Sequence, residues 1–98
     1  MQAYIYKNQI VDDIRENGWK PEHEPIMSEH FQYLKQWMED GKLLLAGPCE
    51  DEAFGIVIFY GESDDDAQAF MDNDPAIRDG IMTAEWHRFR VSLFGDKQ

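Results

Sequence analysis

His30 and Asp74 are polar residues set into otherwise apolar helical stripes, and together they could move a proton. A carboxylate that holds one nitrogen of an imidazole leaves the other free as a general base or acid. At about 100° per residue, Met27, Phe31, Leu34 and Met38 share a narrow stripe, with His30 and Trp37 on one edge, Tyr33 just beyond, and Glu29, Gln32, Gln36, Glu39 and Asp40 opposite. Ala67, Phe70 and Met71 form a second stripe, and Asp74 takes its next place. Two helices on the same face of a sheet would bring the pair within hydrogen-bonding reach, at the wall of a pocket rimmed by Trp37 or Tyr33. A plainer account stands beside this one: Asp74 directly before Pro75 has the pattern of an N-cap for a short helix through Asp79, and His30 could simply pack beside Trp37. The two accounts are compatible, because one carboxylate oxygen can cap while the other accepts from His30.

The remaining reactive side chains carry less. Cys49 follows Gly47 and Pro48 at a strand end, but Glu50, Asp51 and Glu52 come next, and their charge disfavours a thiolate. We read Cys49 as a spectator, to be replaced by serine without loss. His23, Glu29 and His30 match no metal-ligand spacing, so no metal and no cofactor is expected. His87 shares a strand face with Phe89, Val91 and Leu93, which assigns it to a core or an interface. Arg88 and Arg90 could hold an anionic substrate or pair with carboxylates.

The elements that must position these residues follow from local pattern. Residues 2–11 alternate as a half-buried strand, and Asp12 to Glu24, with Asn17-Gly18 and Pro21, has no clean period and is predicted to be a long loop with at most a helical turn near Ile14. A helix follows from Pro25 to a stop at Gly41. Leu43 to Ala46, ended by Gly47 and Pro48, reads as a short buried strand, and Phe54 to Tyr60 as a second. Ser63 with Asp66 opens the next helix as a capping box, helped by three aspartates in its first turn. Met82 to Phe94 closes the chain as a long strand. The order β-α-β-β-α-β is that of a ferredoxin-like α+β sandwich, with two helices on one face of a four-stranded antiparallel sheet. Ile56, Ile58 and Tyr60 face one way while Val57 and Phe59 face the other, so the bare side of the sheet is expected to meet a second copy in a homodimer or larger homo-oligomer.

Composition narrows the partners. The 98 residues predict one domain, 1–98, and nine Lys+Arg against twenty Asp+Glu give a net charge of −11, which repels nucleic acid and anionic membrane surfaces. The lone cysteine excludes an intrachain disulfide and suits a reducing cytoplasm. The apolar run Ile56 to Tyr60 is far shorter than the ~20 residues of a membrane helix, and the N-terminus lacks the pattern of a signal segment.

Glu29-His30-Phe31-Gln32-Tyr33-Leu34, then Gly41-Lys42-Leu43-Leu44-Leu45-Ala46-Gly47-Pro48, then Phe54-Gly55-Ile56-Val57-Ile58-Phe59 stand in the order and near the spacing of the YciI-like (YCII-related) family, which the chain resembles. Asp72-Asn73-Asp74-Pro75 and Gly80 to Glu85 extend the resemblance. It implies a dimeric α+β barrel of ferredoxin-like subunits that binds a small molecule. It also implies an active-site dyad formed by the family's His and the Asp of its Asp-Pro motif, matching His30 and Asp74, with Tyr33, Trp37, Gly47 and Pro48 placed toward substrate. One branch of the family resembles dehydrochlorinases, which implies that the dyad supports elimination chemistry. The chain departs from the family at Ala76, where an aromatic often follows Asp-Pro, and in the longer, more acidic 12–24 segment.

Overall fold

Alternation along Gln2–Ile10 sends Tyr4, Tyr6 and Asn8 to one face of the strand, where all three are buried, and Ile5, Lys7 and Gln9 to the more open face. In the computed structural model, which describes residues 1–95, the elements run β1 (Gln2–Ile10), α1 (Asp12–Asn17), a 3-10 turn (Pro21–His23), α2 (Glu24–Glu39), β2 (Leu43–Pro48), β3 (Gly55–Gly61), α3 (Asp64–Asp72), α4 (Pro75–Arg78) and β4 (Met82–Phe89). The strands form one antiparallel sheet in the order β2-β3-β1-β4, and α2 and α3 pack on one face: the ferredoxin-like sandwich. Tyr4, Tyr6, Val57 and Phe59 from the sheet meet Leu34, Ala67, Phe70 and Met71 from the helices in the main core.

Four details depart from the pattern read along the chain. The 12–24 segment is not a loop. Asp12 and Asp13 favour the N-terminal end of α1, Ile14 is buried, and Gly18, at φ 92°, closes the helix by donating its N–H to Ile14 O at 2.7 Å. With one buried residue in six, α1 leaves no period to detect. Ile14 instead completes a second, smaller core with Ala76, Ile81 and Met82. β2 is an edge strand, half-exposed rather than buried, and Leu45 is 47% exposed.

The third departure is a rotation of α2 about its axis. Leu34 is buried and His30, Tyr33 and Trp37 are partly covered, whereas Phe31 and Met38 are exposed. The cause is aromatic: Phe70 packs against Trp37 at 4.0 Å and Tyr33 at 5.3 Å between ring centroids, and that burial turns the helix toward the edge that carries His30. Fourth, β4 stops at Phe89 rather than Phe94, because its partner β1 begins at Gln2, opposite the last rungs of the ladder. His87 lies exposed on this edge strand, with Nε2 3.0 Å from Glu85 Oε1, so it has no place in the core. Arg88 pairs with Asp64 through both ends of its fork, at 2.9 and 2.7 Å, which is the carboxylate-pairing role of the two considered.

Candidate active site

Asp74 is positioned from both sides in sequence. The stripe of Ala67, Phe70 and Met71 carries the chain inward at the end of α3, and Pro75 fixes the first turn of α4, whose N-cap is Asp74. The result is a carboxylate with no solvent exposure. A buried carboxylate needs donors for its lone pairs, and three are present. Ala76 N–H donates to Oδ1 at 3.0 Å as the capping bond, His30 Nδ1 lies 2.6 Å from the same oxygen, and the Tyr6 hydroxyl donates to Oδ2 at 2.6 Å. Capping and the contact with His30 thus coexist on one oxygen rather than dividing the two between them.

Tyr6 is the member of this group that sequence reasoning missed. Its signal was the alternation that sends Tyr4, Tyr6 and Asn8 to one face of β1, since a buried tyrosine needs a partner for its hydroxyl. Burial, then the charge of Asp74, then the hydrogen bond to Asp74 push the Tyr6 phenol far above its ordinary range, so it stays a donor. Burial and the Asp74 charge push Tyr33 up as well. Each group has a folded pKa above its unfolded value, so its contribution to stability is complete below about pH 10 and is lost as pH rises beyond that. Unfolding free energy measured by urea titration is therefore expected to fall above about pH 10, with a slope of about 1.4 kcal/mol per pH unit from Tyr6. Tyr6→Phe should lessen the slope by about that amount and leave the contribution of Tyr33; an unchanged slope would mean the Tyr6 phenol ionises as readily folded as unfolded.

His30 is 12% exposed at its side chain, so one edge of the ring reaches solvent while Nδ1 faces the carboxylate. An acceptor on Nδ1 selects the tautomer with its proton there and leaves the lone pair on Nε2. The other predicted positions fall elsewhere. The Tyr33 hydroxyl donates to Phe70 O at 2.8 Å, and Tyr33 and Trp37 line a cleft of about 310 Å³ with Lys42, Tyr60 and Asn73 that does not include His30 or Asp74. Gly47 and Pro48 sit on the edge strand opposite Ile56 and Gly55. Pro48 lines a different and larger cavity of about 800 Å³ on the side of α1. Cys49 is half-buried beside it. His23 Nδ1 accepts from Lys20 N at 3.0 Å, and among the described residues no group of three His, Cys, Asp or Glu side chains could hold a metal ion. Nor, among those residues, is any helix long and apolar enough to cross a membrane.

The profile of the YCII-related domain matches residues 1–86. The chain belongs to the YCII-related family. No curated protein matches it in sequence. Among solved structures, the 5-chloro-2-hydroxyhydroquinone dehydrochlorinase TftG from Burkholderia phenoliruptrix, in complex with 2,5-dihydroxybenzoquinone, superposes with a TM-score of 0.69 at 17% identity, over 90% of this chain and 93% of its own. At that identity the likeness establishes the ferredoxin-like fold of this YCII-related chain and nothing finer. A mutant of MhuD with two manganese protoporphyrin IX molecules per active site overlaps at a TM-score of 0.48 and 19% identity, over 99% of this chain and 100% of its own, too loosely to carry an inference.

Proposed function

We propose that this YCII-related chain is a small-molecule enzyme of the general acid/base type, with His30 Nε2 exchanging a proton with substrate and Asp74 holding the ring. The observation that carries this reading is a carboxylate with no solvent exposure bonded to the inner nitrogen of a histidine that is 12% exposed. As Nε2 takes a proton, positive charge forms on the ring against a carboxylate already held by Tyr6 and the Ala76 N–H, so little has to reorganise. An elimination needs this base at one end and a leaving group at the other; a lyase or hydrolase step needs the same proton returned. Tyr33, Trp37, Gly47 and Pro48 remain candidates for contact with substrate, and no cofactor enters the scheme. The setting is one domain, 1–98, in a reducing cytoplasm that suits the lone Cys49.

A noncatalytic ligand-binding or assembly domain is the second reading, favoured by the capping bond from Ala76 N–H, which gives Asp74 a structural use of its own. The two separate by experiment. Wild type and His30→Ala, each shown folded by circular dichroism, would be passed through cell extract and their retained small molecules compared by mass spectrometry. The chlorinated hydroquinone processed by TftG serves as a first trial substrate. Turnover of a retained or trial compound by wild type, lost by about 10²–10⁴-fold in His30→Ala, is the expected result. Equal turnover by both proteins would remove His30 from the mechanism.

The same chain is proposed to form a homodimer through the open face of the sheet. Ile5, Ile56, Tyr60 and Phe89 are only half-covered there, and Leu45 is largely exposed on the neighbouring strand. Sedimentation at micromolar concentration is expected to give the dimer mass; a monomer would overturn this assembly.

A further inference from the structure

Three small residues stand side by side on the helix-facing side of the sheet: Gly55 on β3, Asn8 on β1 and Ala84 on β4 are direct cross-strand partners. Residues this small leave a hollow under the helices, and the packing shows how little room the sheet itself leaves. A Cβ at Gly55 would collide with Asn8 Oδ1. Beside Asn8 and Gly55 lies the cavity of about 800 Å³, open to solvent and bordered by Trp19 and Ile14 from the 12–24 segment and by Met27 of α2. Asn8 is 5% exposed, yet among the described residues its amide makes no hydrogen bond and no buried side-chain polar atom lacks a partner. Its polar atoms therefore keep their residual access where Asn8 lines the cavity. A primary amide kept without protein partners in a cavity with a mostly apolar lining is a hydrogen-bonding group available to a guest.

The rim sets the charge of that guest. Glu50, Asp51 and Glu52 border the cavity; Arg15, the cation among its described lining residues, is committed to backbone carbonyls, donating to Ile10 O at 3.1 Å and Ala53 O at 3.2 Å, and Lys7 Nζ lies 4.6 Å from the centre of the Phe54 ring. The second of these bonds also ties α1 to the β2–β3 connection, while the first holds it to the end of β1. A net negative rim disfavours anions.

We infer that this cavity is a binding chamber for an uncharged aromatic molecule bearing a hydroxyl or carbonyl oxygen, with the Asn8 amide taking that oxygen and Trp19 and Phe54 bordering the ring. The lining of the cavity includes neither His30 nor Asp74, but two elements lead from it to the dyad: Met27 is one helical turn from His30 on α2, and Asn8 follows Tyr6 on the same face of β1. Only in calling the guest a substrate does the inference rest on the proposed dyad; binding stands apart from it.

The test uses three probes of one shape: para-cresol, toluene and para-toluate, titrated into the full chain and followed by the NMR signals of the Asn8 side-chain amide and the Trp19 indole. Para-cresol is expected to shift both signals and to bind about tenfold more tightly than toluene, the difference one hydrogen bond makes, with para-toluate weaker than either. Asn8→Ala should erase the preference for para-cresol over toluene. Met27→Trp, which fills the chamber from the helix side and leaves Asn8 in place, should abolish binding of both, and it keeps the test decisive if Asn8→Ala does not fold. His30→Ala should bind para-cresol as wild type does, so loss of turnover with binding intact bears on the dyad alone. An Asn8 amide signal unmoved by para-cresol, equal affinity for toluene and para-cresol in wild type, or tighter binding of para-toluate would overturn the chamber as described, whatever the outcome for His30.

Discussion

Replacement of Asp74 by alanine is expected to remove about 3–9 kcal/mol of stability, since each of three donors left without an acceptor costs about 1–3 kcal/mol. The donors concerned are the Tyr6 hydroxyl, the His30 ring nitrogen and the Ala76 N–H, all converging on a carboxylate with no exposure. A domain of this length is stable by only about 5–15 kcal/mol, so the variant should be half unfolded or worse under mild denaturant. Asparagine should behave differently. It keeps the carboxyl shape and an oxygen for His30 and Ala76, and its amide can donate to the Tyr6 hydroxyl, which can accept as well as donate. Asp74→Asn is expected to cost only about 1–2 kcal/mol in urea unfolding while lowering turnover about 10²–10⁴-fold, because the charge forming on His30 loses its counter-charge. If asparagine leaves turnover untouched, Asp74 is a cap and nothing more.

Phe70→Ala is expected to be nearly as damaging to the fold, at about 3–5 kcal/mol. Phe70 is 2% exposed and is the ring on which four others rest: Trp37 at 4.0 Å, Phe59 at 4.2 Å, Tyr33 at 5.3 Å and Tyr6 at 5.9 Å between centroids. Its removal opens a cavity between α2, α3 and the sheet that these stiff aromatics cannot collapse to fill. The Tyr6 ring also loses support beside its bond to Asp74, so activity should fall along with stability. Equilibrium unfolding of the variant checks the first effect; a loss below about 1.5 kcal/mol would show that the neighbouring rings repack.

Much of the fold was legible because short-range chemistry dictates it. Alternation in β1 and β3, Ser63 accepting from Asp66 N–H at the start of α3, Pro25 in the first turn of α2 and the positive φ of Gly41 are local devices that act alike in any surroundings. So is the pairing of Asp74 with Pro75 at the start of α4. The order of these elements admits few topologies, and the ferredoxin-like one is observed. His30 and Asp74 stood out by the same kind of reasoning, as polar breaks in apolar stripes.

Tertiary packing decided the rest, at each place where one energy term had to overrule a local pattern. The apolar stripe of α2 is centred between Phe31 and His30, and the packing of Tyr33 and Trp37 against Phe70 turns His30 inward and Phe31 outward. α1 exists because Ile14 finds a second core with Ala76, Ile81 and Met82, residues more than sixty positions away that no window along the sequence can join to it. Tyr6 reaches Asp74 across 68 residues. The hollow at Asn8 likewise depends on cross-strand register, which places Gly55 and Ala84 at its sides. Periodicity reports which faces are apolar; which of them meet, and which polar groups they enclose, is settled by the long-range burial that only the folded chain provides.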